Sequence, residues 1–276
     1  MDLPFTKMHG LGNDFVVLNC MQKSFELDGD QIRSLGDRHF GIGFDQMLVI
    51  GPPENPDADI SYRIFNNDGN EVAQCGNGAR CIAAYLVEKG IIRKQEVIAD
   101  THAGRLVLQR QPDGQVTVNM GIPRFEPDEI PMHAGHREPE YRLQVNDKEY
   151  LCHALSMGNP HVVLPCNDID TVAVNILGPR IQQLEVFPEG VNVGFMQVQE
   201  PNRIRLRVYE RGAGETLACG SGACAAVVAG ILYHQMEKEV IVGLQGGDLL
   251  VSWTGEGDPV MMTGPATFVY EGRILL

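Results

Sequence analysis

Cys75-Gly76-Asn77-Gly78-Ala79-Arg80 and Cys219-Gly220-Ser221-Gly222-Ala223-Cys224 repeat each other at a distance of 144 residues. Each segment places a cysteine and a glycine-rich turn at the start of an apolar stretch that is typical of an enclosed helix. A single glycine-rich turn would be weak support for any function. Two of them predict two related halves that contribute equivalent thiols to one active site.

The repeat extends beyond the two cysteines. Four further pairs of segments or residues match in the same order, at a nearly constant offset of 144 to 146 residues. These pairs are Gly12–Leu18 with Gly158–Leu164, Gln46 with Asn192, Tyr62–Asn66 with Leu206–Glu210, and Glu71 with Glu215. Such self-similarity indicates a duplicated domain. We place the N-terminal domain at residues 1–119 plus 265–276 and the C-terminal domain at 120–264, with the active site in the cleft between them.

The composition is that of a soluble globular protein, with 276 residues, 43% of them hydrophobic and 21% charged. A formal net charge of −14 disfavours binding to nucleic acid or to an anionic membrane. The first residues, Met1–Lys7, lack the basic and then apolar pattern of a signal peptide. The longest apolar run, Ala223–Tyr233, is shorter than the about 20 residues that span a bilayer. We therefore expect a cytoplasmic protein with no nucleic-acid or membrane partner.

The cysteines do not form the pattern of a disulfide framework or of a metal site. Seven are present, an odd number, and no Cys-x-x-Cys or His-x-x-x-His pair accompanies them. We therefore predict no metal. Outside the two repeated motifs, the cysteines are interpreted as small buried hydrophobic residues, namely Cys20, Cys81, Cys152, Cys166 and Cys224.

Hydrophobic periodicity predicts an α+β fold. Alternation at period two indicates antiparallel strands at Arg105–Gln109, Gln115–Met120 and Arg203–Val208, with a hairpin turn at Asp113-Gly114. A last strand is expected over 266–276. Helices are predicted at Ala79–Glu88 and Ala223–Met236, both apolar nearly all round, and an amphipathic surface helix at Ser24–Arg38. An all-round apolar helix must be enclosed, so each domain is expected to wrap a strongly curved sheet around one central helix.

The repeated cysteines also predict a particular chemistry. Free backbone N–H groups and the positive end of the helix dipole lower the pKa of a cysteine at a helix N-terminus from about 8.5 toward neutrality. The N–H groups of Gly76, Asn77, Gly220 and Ser221 are suited to binding a carboxylate. A carboxylate held in this way stabilises the carbanion formed when an amino acid loses its α-proton. One thiolate would take that proton and the opposing thiol would return one to the other face, with no cofactor required.

The two copies differ mainly at polar positions that flank the repeated motifs. The differing pairs are Phe15 with His161, Asn66 with Glu210, Asn67 with Arg211, and Asn77 with Ser221. Neutral substitution in solvent-facing loops would produce such differences. Their position beside the motifs instead favours the interpretation that both halves line a single asymmetric ligand and that each copy has specialised.

With these residues in view, the chain resembles the diaminopimelate epimerase family over almost its whole length. The resemblance is carried by His9–Phe15, Gly41–Gln46, Phe65-Asn66, Gln74–Arg80, Ser156–His161, Val191-Asn192, Tyr209–Thr216 and Cys219–Ala223. We find no departure from the family pattern at these positions.

The resemblance implies interconversion of LL- and meso-diaminopimelate, without a cofactor, in lysine and peptidoglycan precursor synthesis. It implies Cys75 and Cys219 as the acid and base, with His161 and Glu210 tuning the two thiols. It also implies two pseudo-symmetric domains, each a mainly antiparallel, barrel-like sheet around a central apolar helix, and a homodimer with Tyr270 as a dimer contact. It assigns the reacting carboxylate to Gly76, Asn77, Gly220 and Ser221, and the rest of the substrate to Asn13, Gln46, Asn66, Asn159, Asn192, Glu210 and Arg211.

Other functions remain open at this stage. A racemase of the same architecture acting on proline or hydroxyproline would need the same two thiols, but it would have less use for a set of Asn, Glu and Arg groups suited to a distal ammonium and carboxylate. A thiol redox protein using Cys75 and Cys219 is a second alternative. A non-catalytic amino-acid-binding protein is a third, and it would tolerate replacement of either cysteine.

Overall fold

A computed structural model describes residues 2–22, 25–72, 75–102 and 104–275. The strands are β1 (Asp2–Gly10), β2 (Asn13–Asn19), β3 (Gln46–Gly51), β4 (Ile60–Asn66), β5 (Glu71–Val72), β6 (Glu96–Thr101), β7 (Gly104–Arg110), β8 (Val116–Asn119), β9 (Tyr141–Val145), β10 (Lys148–Ser156), β11 (Pro160–Pro165), β12 (Asn192–Glu200), β13 (Arg203–Glu210), β14 (Gly214–Thr216), β15 (Glu239–Leu244), β16 (Gly247–Ser252), β17 (Met261–Gly264) and β18 (Thr267–Leu275). The helices are α1 (Gly29–Gly36), α2 (Gly76–Glu88), α3 (Val174–Gln182) and α4 (Gly220–Tyr233).

The chain divides into two compact units, Met1–Val118 with Gly264–Leu276, and Asn119–Thr263. In the first unit, β1 pairs antiparallel with both β2 and β18, β2 runs parallel to β3, and β4 lies antiparallel to β3 and β5 and parallel to β6. Strands β6, β7 and β8 then form an antiparallel meander. The strand predicted at the C-terminus is therefore confirmed as β18.

The second unit repeats this pairing pattern strand for strand. β11 runs parallel to β12, and β13 lies antiparallel to β12 and β14 and parallel to β15. β15, β16 and β17 form the matching antiparallel meander, and β10 pairs with β9 and β11. The internal repeat in the sequence is thus a repeat of topology, and the predicted α+β class of duplicated, mainly antiparallel units is confirmed.

Each unit encloses one apolar helix against its own strands. Residues Asn77–Leu86 of α2 and Gly222–Gly230 of α4 are buried, and the helices pack on β1 and β7 or on β11 and β12 respectively. Full burial of a single valine or leucine side chain contributes about 1.5–3 kcal/mol, so these helices contribute strongly to each core. Both begin three residues earlier than predicted, because Cys75 and Cys219 have extended backbones and act as N-caps.

Three further differences from the prediction concern the extent of α1, the end of α4 and the burial of β8. α1 covers only Gly29–Gly36, because Asp28 caps it in a capping box with Gln31 and Phe25–Asp28 is not helical. Ser24, the predicted start, lies outside the described residues. α4 ends at Tyr233 rather than Met236. β8 is buried at three successive residues from Val116, although its alternating sequence predicted one exposed face.

Candidate active site

Cys75 lies at the N-terminus of α2 among polar groups of the first unit. Its sulfur accepts a hydrogen bond from the Gly78 amide at 3.4 Å and lies 3.8 Å from Asn13 Oδ1. Asn77 Nδ2 donates to the same Asn13 oxygen at 3.2 Å. The positive φ of Leu11 (56°) and Gly12 (90°) forms the tight turn that brings Asn13 to the start of β2. The structure thus brings Cys75, Asn77 and Asn13 together at the start of α2.

Gln46 and Asn66 form a second polar pair in this unit. Gln46 lies opposite Phe15 in the parallel β2–β3 ladder and opposite Asn66 in the antiparallel β3–β4 ladder. Gln46 Nε2 donates to Asn66 Oδ1 at 2.9 Å, and Gln46 Oε1 is buried without a partner among the described residues. A buried amide oxygen without a donor is costly, so this atom is available to a cationic or N–H-bearing ligand.

An arginine–glutamate pair precedes the cysteine in both units. Arg63 on β4 holds Glu71 on β5 through two hydrogen bonds of 2.9 and 2.7 Å. Arg207 on β13 holds Glu215 on β14 through bonds of 2.7 and 3.1 Å. Bidentate pairs of this kind fix geometry as well as charge. They tie down the short strand from which the chain continues to each cysteine.

Cys219 lies in an equivalent place in the second unit, with different partners. It is 3% exposed, and its sulfur lies 3.7 Å from Ser221 Oγ. Asn159 Nδ2 donates to Ser221 Oγ at 3.3 Å, and Asn159 Oδ1 lies 3.0 Å from His161 Nε2. Cys219, Ser221, Asn159 and His161 are therefore brought together, with a hydroxyl and an imidazole at positions that carry an amide and a phenyl ring in the first unit.

Asn192 on β12 connects this strand to the backbone of Arg211. It lies opposite His161 in the parallel β11–β12 ladder, the register that Gln46 has with Phe15 in the first unit. Asn192 Oδ1 accepts from the Arg211 backbone amide at 2.9 Å, and the exposed Arg211 guanidinium donates to the Glu189 carbonyl at 2.9 Å. The structure thus holds Arg211 at the end of β13 with its positive charge accessible to solvent.

Glu210 is the charged partner of Cys219. Burial raises the pKa of Cys219 well above its ordinary value, and the Glu210 carboxylate raises it further through its charge and a hydrogen bond to the thiol. The Gly222 amide and the Ser221 hydroxyl act in the opposite direction. The lowering expected from the helix N-terminus is therefore wrong for Cys219, because burial and an adjacent anion outweigh the helix dipole. Cys219 rests as a thiol.

His161 is held neutral. Burial lowers its pKa to about 3, and the positive charge of Arg211 acts in the same direction. A neutral imidazole whose Nε2 faces the amide oxygen of Asn159 carries its proton on Nε2. The ring is therefore an oriented, uncharged group at physiological pH.

Two functional groups were not singled out from the sequence. Asp45 accepts from Asn13 Nδ2 at 3.0 Å, and its only sequence signal was its place beside Gln46. Thr216 Oγ1 donates to Glu210, and its only sequence signal was its place at the end of the Tyr209–Thr216 segment. Tyr270 lies on β18, 46% exposed, with its ring edge-on to Phe5 at 5.9 Å.

Among the described residues, no group of three or more His, Cys, Asp and Glu side chains is arranged to hold a metal ion. No helix within the described ranges combines the length and apolarity needed to cross a membrane.

This chain is similar to known proteins in sequence and in fold. A family model described as diaminopimelate epimerase matches residues 5–126 and 153–269. Solved structures with a similar fold include a Bacillus anthracis phenazine biosynthesis protein of the PhzF family, with 17% identity, 100% of both chains covered and a TM-score of 0.71. A hydroxyproline epimerase from Agrobacterium vitis shares 16% identity over 99% of this chain and 92% of its own, with a TM-score of 0.70. At these identities the structural likeness extends to the fold alone.

Proposed function

Since the chain belongs to the diaminopimelate epimerase family, we propose that it interconverts LL- and meso-2,6-diaminopimelate by α-proton transfer between two cysteines, without a cofactor. Membership in this family places the chain in a superfamily of epimerases and isomerases. The observation that carries the more specific proposal is the pair of equivalent half-sites, in which Cys75 and Cys219 begin equivalent buried helices but have unlike partners. An epimerase that inverts one carbon needs two such groups, one deprotonated to remove the α-proton and one protonated to return a proton to the opposite face.

The proposed reaction uses the helix N-termini to stabilise charge. The amides of Gly76, Asn77, Gly220 and Ser221 would hold the reacting carboxylate, and their positive dipole ends favour the negative charge that spreads onto it in the transition state. One cysteine, as the thiolate, removes the α-proton while the other, as the thiol, returns a proton to the opposite face. The roles exchange with the direction of the reaction.

The raised pKa of Cys219 supports its role as the proton donor at rest. When the reaction runs the other way, its proton must first leave, and the Glu210 carboxylate beside it is suited to accept that proton. We assign His161 the second tuning role that the family resemblance implies, as a neutral imidazole that donates to Asn159 through Nε2.

The remaining polar groups support a long substrate with two amino-acid ends. Gln46 Oε1, which is buried with no partner in the described part of the chain, suits an ammonium group, and the exposed guanidinium of Arg211 suits a carboxylate. Asn13, Asn66, Asn159, Asn192 and Glu210 would supply the other hydrogen bonds. Proline and hydroxyproline have a single amino-acid end and would leave much of this set unpaired.

We further propose that the enzyme serves lysine and peptidoglycan precursor synthesis in the cytoplasm as a homodimer. The half-exposed Tyr270 on β18 supports the dimer, because exposed aromatic residues are enriched at protein interfaces.

The test is proton exchange at the α-carbon. Reduced protein is incubated with LL-diaminopimelate in D2O, and both deuterium incorporation and the LL-to-meso ratio are followed by NMR and chiral chromatography. We expect deuterium in the product together with inversion, and we expect Cys75→Ser and Cys219→Ser each to lower turnover by orders of magnitude.

Matched controls separate the alternatives. Cys20→Ser and Cys166→Ser change cysteines outside the half-sites and should leave turnover unchanged. Exchange of proline or hydroxyproline in place of diaminopimelate would contradict the substrate assignment. Activity that appears only after oxidation of the thiols would contradict the two-base mechanism and favour a redox function.

A further inference from the structure

Four charged side chains of the first unit form a cluster on the Nδ2 side of Asn13. Arg38 donates to Asp14 at 3.1 and 2.7 Å and to Asp45 Oδ1 at 2.8 Å. The buried Lys7 donates to Asp14 and to the Gly43 carbonyl. Two cations and two anions balance, and we call these four side chains, Lys7, Asp14, Arg38 and Asp45, the Asp45 cluster. The cluster holds the Asp45 carboxylate in one position.

Asp45 determines which way the Asn13 amide faces. Asp45 Oδ2 accepts from the Asp14 backbone amide at 3.1 Å and from Asn13 Nδ2 at 3.0 Å. An ionised carboxylate only accepts hydrogen bonds, so the Asn13 atom facing it must be the amide nitrogen. The Asn13 oxygen is then turned to the opposite side, where it meets Asn77 Nδ2 and the Cys75 sulfur.

The second unit has no counterpart of this cluster. At the offset of 146 residues, Lys7, Asp14 and Asp45 correspond to His153, Pro160 and Val191. Asn159, the counterpart of Asn13, has its nitrogen toward Ser221 and its oxygen toward His161. The two equivalent asparagines therefore present opposite ends of their amides to the helix that carries the cysteine.

We propose that Asp45 is a positioning residue that holds Asn13 with its carbonyl oxygen against Cys75. The effect of Asp45 on turnover rests on the proposed function. Its effect on the Cys75 thiol does not, because that effect is measured without substrate. A carbonyl oxygen accepts from the thiol and offers nothing to the thiolate, so Asn13 in this orientation favours the protonated form of Cys75. Without Asp45 the amide is free to turn and present its N–H groups to the sulfur, which favours the thiolate.

The experiment measures the alkylation of each cysteine as a function of pH. Reduced protein without substrate is treated with iodoacetamide, and the rates at Cys75 and Cys219 are read separately by mass spectrometry of their peptides. We expect Asn13→Ala and Asp45→Ala each to move the Cys75 midpoint about half a pH unit lower. Cys219 is the internal control, and its midpoint should not move.

A double-mutant cycle tests whether Asp45 acts through Asn13. In the Asn13→Ala background, Asp45→Ala should produce no further shift at Cys75. Asp14→Ala removes the same charge from the Asp45 cluster but leaves the Asp45–Asn13 hydrogen bond possible, and it should shift Cys75 less than Asp45→Ala does.

Three results would overturn the proposal: full additivity in the cycle, an equal shift from Asp14→Ala, or an unchanged Cys75 midpoint in Asn13→Ala. The last test stands even if Asp45→Ala does not fold. If the alkylation pattern is as expected but diaminopimelate does not exchange its α-proton, the proposed function fails while the role of Asp45 is retained. If diaminopimelate exchanges its α-proton but the alkylation pattern is not as expected, the proposed function is retained and the role of Asp45 fails.

Discussion

Replacement of Glu210 by glutamine should make the Cys219 thiol more acidic and the enzyme slower at the same time. Glu210 raises the pKa of Cys219 through its charge and a hydrogen bond, in addition to the effect of burial. Glutamine keeps the size of the side chain and can still accept from Thr216, but it removes the charge. It also removes the proton acceptor that the proposed reaction needs beside Cys219.

The expected size follows from Coulomb's law. Two unit charges about 4 Å apart, at an effective dielectric constant of about 20, repel by about 4 kcal/mol. Every 1.4 kcal/mol corresponds to a factor of about ten, so loss of this repulsion should lower the pKa of Cys219 and raise its thiolate fraction below the alkylation midpoint by up to about a thousandfold. Burial acts in both proteins, so the pKa should remain above the ordinary value for cysteine.

The assay combines the pH profile of Cys219 alkylation with turnover of LL-diaminopimelate. Glu210→Gln should move the alkylation midpoint to lower pH and reduce turnover by about 100-fold or more, the usual contribution of a positioned acid or base. Glu200→Gln, at the exposed end of β12, is the matched control and should change neither quantity. An unmoved midpoint would refute the contact between Glu210 and the thiol. A lowered midpoint with normal turnover would refute Glu210 as the proton acceptor.

Three further predictions concern stability and the geometry of the helix N-termini. Burial opposes ionisation of Asp14, but Arg38 and Lys7 outweigh it and lower its pKa to about 2, below the value in the unfolded chain. Its contribution of about 2 kcal/mol is therefore present above pH ~4 and lost as the pH falls through 2, so urea unfolding of Asp14→Asn should show a weaker acid dependence than the parent protein. Gly222→Ala would place a Cβ atom 3.2 Å from the Cys219 sulfur and should lower turnover, whereas Gly135→Ala meets nothing within 4 Å and should not. Gly41→Ala would place a Cβ atom 2.3 Å from a backbone oxygen of α1 and should lower the melting temperature by several degrees.

Local patterns in the sequence were sufficient for much of the fold. The apolar stretches after Cys75 and Cys219 predicted the enclosed helices, because a helix without a polar face must be surrounded by its own sheet. Alternation at Arg203–Val208 predicted β13, and the repeat predicted that both units would share one topology. α1 was predicted too long because amphipathic periodicity continued past the Asp28 cap that actually begins the helix. β8 was predicted to be half-exposed because a short alternating strand carries no information about what covers its second face.

The candidate site was predicted only as a set of residues. Repeated motifs identified Asn13, Cys75, Asn159 and Cys219, and the structure gathers each asparagine with its cysteine in the same unit. The proton affinity of Cys219 was predicted in the wrong direction. A helix N-terminus can be recognised in sequence, but the burial of the sulfur and the approach of a carboxylate from another strand cannot.

The sequence by itself determined the duplication, the α+β class, the two cysteines and the family, because these depend on the order and spacing of residues along the chain. Only the tertiary structure decided the protonation state of Cys219 and the orientation of the Asn13 and Asn159 amides. Those depend on Glu210 beside Cys219 and Asp45 beside Asn13, groups that lie 9 and 32 residues away along the chain. Electrostatic interactions and hydrogen bonds act over a few ångströms in space, and folding sets those distances.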